Sequence, residues 1–148
     1  MLDRHKAALV IIDVQEKLFA VMDERDRLLE RTRQLIRGCQ VMGLPVVWSE
    51  QYPEGMGPTL QPVAALLTGV HPMPKKAFSL VGDDAIRKHI QGLGRKQFIL
   101  AGIEAHVCVY QTAVDLLELG HEVEVVSDAV SSRDDENRRI GLERVRRA

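Results

Sequence analysis

The chain predicts an α/β fold, a parallel sheet covered by helices on both faces. Two observations carry this. Short apolar runs of strand length recur along the 148 residues, and helical segments with one apolar face alternate with them. Strand–helix–strand alternation means a parallel sheet with right-handed crossovers. The length suits one compact domain, residues 1–148.

Ala7 to Ile12 is a continuous apolar run ending at Asp13, the pattern of a strand buried on both faces. Asp26 to Met42 reads as a helix: Leu28, Leu35, Ile36, Cys39 and Met42 share one face, and arginines and Glu30 the other. Gly43 stops it. Pro45 to Trp48 is a short second strand, and Glu50 to Pro58, rich in Gly and Pro, is a loop. A short helix is expected at Gln61 to Leu67. Val70 to Met73 is a third strand broken by prolines. Asp83 to Gln91 is helical, closed by Gly92 and Gly94. Gln97 to Ala101 is a fourth strand, stopping at Gly102. His106 to Leu119 is a helix ending at Gly120, and Glu122 to Val126 is a fifth strand. From Asp134 a last helix runs with acids first and arginines last, as its dipole prefers.

Composition narrows the function classes. The core rests on aliphatic residues, because aromatics make up only 4% of the chain. A net charge of −1 argues against nucleic-acid binding through a general positive field. No segment reaches the length of a membrane span. The opening Asp3, Arg4, His5 and Lys6 do not fit a signal peptide. Two cysteines without a paired framework suit a reducing, cytoplasmic setting.

In an open α/β sheet, ligands bind beyond the carboxyl ends of the strands. Asp13 ends the first strand, Lys75 follows the third, and Cys108 falls in the first turn of the helix after the fourth. An acid, an amine and a thiol at one sheet edge form a candidate nucleophilic site. A helix N-terminus favours a thiolate and offers free N–H groups to an oxyanion, so a lowered Cys108 pKa is expected. Each residue also has a plainer reading: Cys108 as a small core hydrophobe, Asp13 as a helix cap, Lys75 as a solvated neighbour of Lys76. Position alone does not choose between them.

The motifs resemble one known family. Leu9-Val10-Ile11-Ile12-Asp13-Val14-Gln15 is similar to the opening strand of the isochorismatase-like cysteine hydrolases. Gly102-Ile103-Glu104-Ala105-His106-Val107-Cys108-Val109 resembles their nucleophile turn, and His121 to Asp128 with Ala129 the strand that follows. Pro74-Lys75-Lys76-Ala77-Phe78-Ser79 resembles their lysine loop, where the lysine stands three residues before an aromatic; this selects Lys75 over Lys76. Glu50-Gln51-Tyr52-Pro53, Gly55, Gly57, Pro58 and Thr59, with Ala129-Val130-Ser131-Ser132-Arg133, resemble the isochorismatase-domain-containing subgroup.

The resemblance implies a three-layer α/β/α, Rossmann-like sandwich with about five strands in the order 3-2-1-4-5. It implies Cys108 as nucleophile, Asp13 as base and Lys75 as its orienting partner. It further implies a cis peptide between Ile103 and Glu104, with the Glu104 and Cys108 N–H groups as oxyanion donors. The implied reaction is hydrolysis of a small amide-like C–N substrate through a thioester. Gln15, Phe19, Gln51, Tyr52 and His106 are candidates for the pocket wall.

Departures from the family pattern matter as well. Metal-binding nicotinamidases carry Asp-x-His after the second strand, where this chain reads Ser49-Glu50-Gln51. No metal and no cofactor are expected, and His71 and His121 read as surface residues. True isochorismatases lack the cysteine, so Cys108 points to carbonyl chemistry. Relatives usually continue into a further strand and helix, so an exposed sheet edge and a homo-oligomer, a dimer or larger, are expected. Arg133, Arg138, Arg139, Arg144, Arg146 and Arg147 read as the solvated end of a terminal helix. A non-catalytic scaffold and a nuclease are the competing functions. No nucleic-acid or membrane partner is expected.

Overall fold

A computed structural model describes residues Met1–Ala148. Five parallel strands form one sheet in the order β3-β2-β1-β4-β5. They are β1 (Ala7–Ile12), β2 (Val46–Gln51), β3 (Met73–Lys75), β4 (Gln97–Ile103) and β5 (Glu122–Ser131). The helices are α1 (Glu16–Phe19), α2 (Arg25–Val41), α3 (Pro53–Met56), α4 (Gln61–Ala64), α5 (Asp84–Gly92), α6 (Tyr110–Glu118) and α7 (Asp135–Arg147). No helix is long and apolar enough to cross a membrane.

Every residue of β1 and β4 is buried, because both sheet faces are covered. The pleat sends alternate side chains to opposite layers. Ala8, Val10 and Ile12 join Phe98, Leu100 and residues of α5 and α6 in one core cluster. Ala7, Leu9 and Ile11 join Ile99, Ala101, Ile36 and Cys39 in the other. The strand order reverses at the sheet centre, where β1 lies between β2 and β4. The carboxyl ends of these strands therefore open a crevice.

Several boundaries differ from the sequence reading, each for a tertiary reason. The third strand moves from 70–73 to Met73–Lys75, because pairing with Ser49, Glu50 and Gln51 decides it. Lys75 thus ends that strand instead of following it. Glu50 and Gln51 belong to β2, and Pro53–Met56 forms a helical turn within the expected loop. β5 extends to Ser131 by pairing with Gly102 and Ile103 across a register shift. His106 does not open a regular helix: Ala105–Val109 is a single π-helical turn before α6. His121 is half-buried, its ring edge-on to Phe98 with centroids 4.9 Å apart.

Gly102 sits where β4 lies against the end of β1. Its φ is +123°, and a Cβ there would lie 2.1 Å from the Ile12 carbonyl oxygen. Only glycine lets β4 lie this close to the end of β1, one residue before Asp13.

Candidate active site

Asp13 leaves β1 with φ 52°, a region non-glycine residues seldom occupy and one associated with functional turns. Its side chain has no exposed surface. A carboxylate in that position requires partners. Ser49, in the neighbouring strand, donates its hydroxyl to Oδ1 at 2.7 Å. Lys75 brings its ammonium to 2.8 Å from Oδ2, and it too is fully enclosed. That contact is an ion pair off the line of a hydrogen bond, so Oδ2 accepts no hydrogen bond from the protein. One carboxylate oxygen is therefore hydrogen-bonded and the other is held by the charge of the ammonium alone.

The Lys75 ammonium is surrounded by acceptors. It donates to Gln51 Oε1 at 2.6 Å and to the carbonyls of Phe78 and Ala77 at 2.9 and 3.1 Å. Cys108 Sγ lies 3.6 Å away. Register explains why Lys75 and not Lys76 turns inward: Lys75 pairs with Gln51 at the end of β3, and the next residue faces the other way. Lys76 is exposed and reaches the cleft mouth instead.

Cys108 is buried in the π-helical turn, and its thiol is pushed up to about 12. Burial is the largest cause and the Asp13 charge the next, with Lys75 opposing them. This reverses the expected lowering at a helix N-terminus. Desolvation outweighs the dipole because Sγ is enclosed beside a carboxylate. Loss of the proton to solvent would leave two anions around one ammonium. Transfer to Asp13 keeps one anion and one cation, so the thiol is suited to deprotonation within the cluster.

The Ile103–Glu104 peptide is cis. The Glu104 carbonyl accepts from the N–H groups of Val107 and Val109 at 3.1 and 3.2 Å. Gly141 of α7 packs on this turn so closely that a Cβ would lie 2.7 Å from the Ala105 carbonyl and the His106 nitrogen. The last helix therefore braces the turn that carries Cys108.

A cleft of about 550 Å³ opens onto Cys108. Gln51 and Tyr52 line it, as the sequence suggested, but Gln15, Phe19 and His106 do not. Gln15 is a buried clasp: its amide donates to the Gln51 and Gly57 carbonyls and accepts from the Gln51 N–H. Phe19 packs toward Met22, Leu28 and Ile103. His106 Nδ1 meets Ser132 Oγ at 2.9 Å. The lining residues missed by sequence reasoning are Leu18, Met56, Lys76, Phe78, Val107 and Arg133; Ile103 and Glu104 of the turn line the cleft as well. Arg133 is thus part of the cleft and precedes the terminal helix it was grouped with. The available signals were its place after the last strand and its inclusion in the motif Ala129-Val130-Ser131-Ser132-Arg133.

Where an Asp-x-His pair would stand, Glu50 accepts from the Thr59 N–H and hydroxyl at 2.7 and 2.8 Å. No three His, Cys, Asp or Glu side chains gather in a metal-binding group.

The isochorismatase-domain family model matches residues 7–148. The chain belongs to the isochorismatase family. Its curated relatives include isochorismatase domain-containing protein 2 of Danio rerio, 36% identical over 143 residues, 96% of this chain and 71% of that protein. Isochorismatase domain-containing protein 1 of Danio rerio is 38% identical over 136 residues, 91% of this chain. The chain spans about half of that second relative, 47%. Among solved structures, MAR1 ribonuclease from Caenorhabditis elegans is 33% identical with a TM-score of 0.92, covering 99% of this chain and 75% of that one. The YcaC gene product of Escherichia coli, described as an octameric hydrolase of unknown specificity, shares the fold: 24% identity, TM-score 0.93, 99% of this chain and 74% of that one. The isochorismatase-family assignment thus fits the observed sheet order and the two helical layers.

Proposed function

We propose that the chain is a hydrolase that uses Cys108 as nucleophile on a small amide-like C–N substrate. The observation that carries this is the enclosed cluster of Asp13, Lys75 and Cys108, with Lys75 Nζ 2.8 Å from the carboxylate and 3.6 Å from the sulfur, and with Cys108 lining a cleft.

The proposed steps are these. Asp13 Oδ2 takes the thiol proton as Sγ bonds to the substrate carbonyl carbon. The carbonyl π pair moves to oxygen, where the Glu104 and Cys108 N–H groups are the proposed donors. Collapse breaks the C–N bond, and Asp13 gives its proton to the leaving nitrogen. Water then attacks the thioester while Asp13 takes its proton. The oxyanion collapses and breaks the C–S bond, the acid departs, and the Cys108 thiolate recovers the proton from Asp13. Throughout, the Lys75 ammonium balances whichever of carboxylate or sulfur is charged.

The test is ammonia release from a panel of small amides, with intact-mass detection of the acyl-enzyme. Wild type is expected to turn over and Cys108→Ser to lose turnover with an unchanged fold, because a hydroxyl is far less acidic than a thiol. Wild-type-like turnover in Cys108→Ala sinks the mechanism.

A ribonuclease reading is favoured by the description of the Caenorhabditis elegans relative. It is weaker here because the cleft is walled mainly by apolar side chains, with Arg133 and Lys76 as its cations. RNA breakdown by wild type that survives Cys108→Ala, without amide hydrolysis, would favour the nuclease.

A further inference from the structure

We propose that Gln51 is a positioning residue for Lys75: its side-chain carbonyl draws an ammonium N–H away from Asp13, so that Asp13 Oδ2 keeps a lone pair open to the Cys108 proton. This rests on the cysteine-nucleophile reading of the same cluster.

A lysine ammonium has three N–H donors, and Lys75 faces more acceptors than that. Gln51 Oε1 lies 2.6 Å from Nζ, the Phe78 and Ala77 carbonyls 2.9 and 3.1 Å, and Cys108 Sγ 3.6 Å. Asp13 Oδ2 is 2.8 Å away, yet it is the one left without a hydrogen bond. A carboxylate is the stronger acceptor, so an arrangement that withholds an N–H from it must itself be held in place. Gln51 makes the shortest hydrogen bond to the ammonium. The two carbonyls lie two and three residues after Lys75 and come with its own loop. Gln51 reaches in from the neighbouring strand as a neutral side-chain acceptor.

Gln51 is fixed at both ends. Its backbone N–H donates to Gln15 Oε1 at 2.7 Å, and its backbone carbonyl accepts from Gln15 Nε2 at 3.0 Å. Gln15 has no exposed surface. The Gln51 Nε2 donates to the Lys76 carbonyl at 2.9 Å, which leaves Oε1 as the end that meets the ammonium. Alternate residues of a strand share a face, and β2 uses this. Ser49 donates to Asp13 Oδ1, Gln51 accepts from Lys75, and Glu50 between them turns away to Thr59. The end of β2 thus holds both members of the ion pair. A hydrogen bond donated to a carboxylate weakens it as a base. With that N–H drawn to Gln51, Lys75 supplies charge to Asp13 and Sγ without occupying the lone pair that receives the proton.

The test follows iodoacetamide labelling of Cys108 against pH, which needs no substrate, in wild type, Gln51→Met and Gln51→Asn. Methionine keeps the length and removes the acceptor, so a Lys75 N–H is expected to turn to Asp13 Oδ2. Labelling at pH 7 should then fall about 10-fold and its pH midpoint rise by about one unit. Asparagine keeps an amide at the cleft edge but is one methylene short of Nζ, and the same shift is expected; it also keeps the test open if Gln51→Met does not fold, which circular dichroism checks. In the Asp13→Asn background, Gln51→Met should change labelling by less than about twofold, because the residue it acts through is gone. On any amide that is hydrolysed, Gln51→Met should lower kcat about 10-fold and leave KM within about twofold. A wild-type midpoint in both Gln51 variants, or an equal fall in the Asp13→Asn background, overturns the positioning role. If that occurs while Cys108→Ala abolishes turnover, the hydrolase reading stands without it. If no amide is hydrolysed but labelling shifts as stated, the hydrolase reading fails and the positioning of Lys75 by Gln51 stands.

Discussion

Lys75→Met is the sharpest perturbation of the buried cluster. The Lys75 and Asp13 side chains have no exposed surface, and their charged atoms lie 2.8 Å apart. Methionine has nearly the volume of the lysine stem, so the change removes a charge and leaves little cavity. Breaking a buried pair on one side costs about 3–5 kcal/mol, because the remaining ion has no partner. At about 2–4 °C per kcal/mol for a chain of this size, the melting temperature falls by about 6–20 °C. The ammonium also lies 3.6 Å from Cys108 Sγ. At an effective dielectric of about 20, two unit charges at that distance interact by about 4–5 kcal/mol, so turnover should fall by about 1,000-fold or more. The double variant Asp13→Asn, Lys75→Met replaces the pair by neutral groups of similar size. It should regain most of the lost stability and none of the activity. Guanidinium unfolding at pH 7 followed by circular dichroism, beside ammonia release, reads both quantities. A single variant as stable as wild type, or a double variant no more stable than the single, would refute the claim that charge pairing holds this cluster.

Asp13→Asn separates acidity from catalysis. Removing the carboxylate that raises the Cys108 thiol should speed iodoacetamide labelling while hydrolysis falls by about two to four orders of magnitude; slower labelling would contradict the charge argument. Alkaline stability has a defined sign. The Cys108 thiol is raised in the fold from 9.0 to about 12, so the native state holds a proton that the unfolded state has lost. The associated stability is present below pH 9 and lost as pH rises toward 12, by up to about 4 kcal/mol. Cys108→Ala should flatten that part of the pH–stability curve, and an unchanged slope would count against burial of the thiol. Gly141→Ala forces a Cβ to within 2.7 Å of the Ala105 and His106 backbone. It should cost about 1–3 kcal/mol and lower kcat, and wild-type kinetics would show that α7 does not brace the turn.

What the sequence determined by itself is local and periodic. β1 and β4 are legible because a strand covered on both faces is apolar at every position. α7 is legible from its charge order. Asp13 and Cys108 are legible because each follows an apolar strand on the side where such sheets bind ligands, and the choice of Lys75 over Lys76 came from a motif spacing. What only the tertiary structure decided depends on residues far apart in the chain. The third strand shifted because its partner is β2. Gln15 became a clasp because Gln51 and Gly57 meet it from the far side of a loop. Arg133 reached the cleft because β5 runs beside β4 and returns the chain to Glu104. The direction of the Cys108 shift depended on enclosure and on a carboxylate that lies 95 positions earlier in the numbering. Desolvation and Coulomb forces act through space, so no local pattern around Cys108 records them.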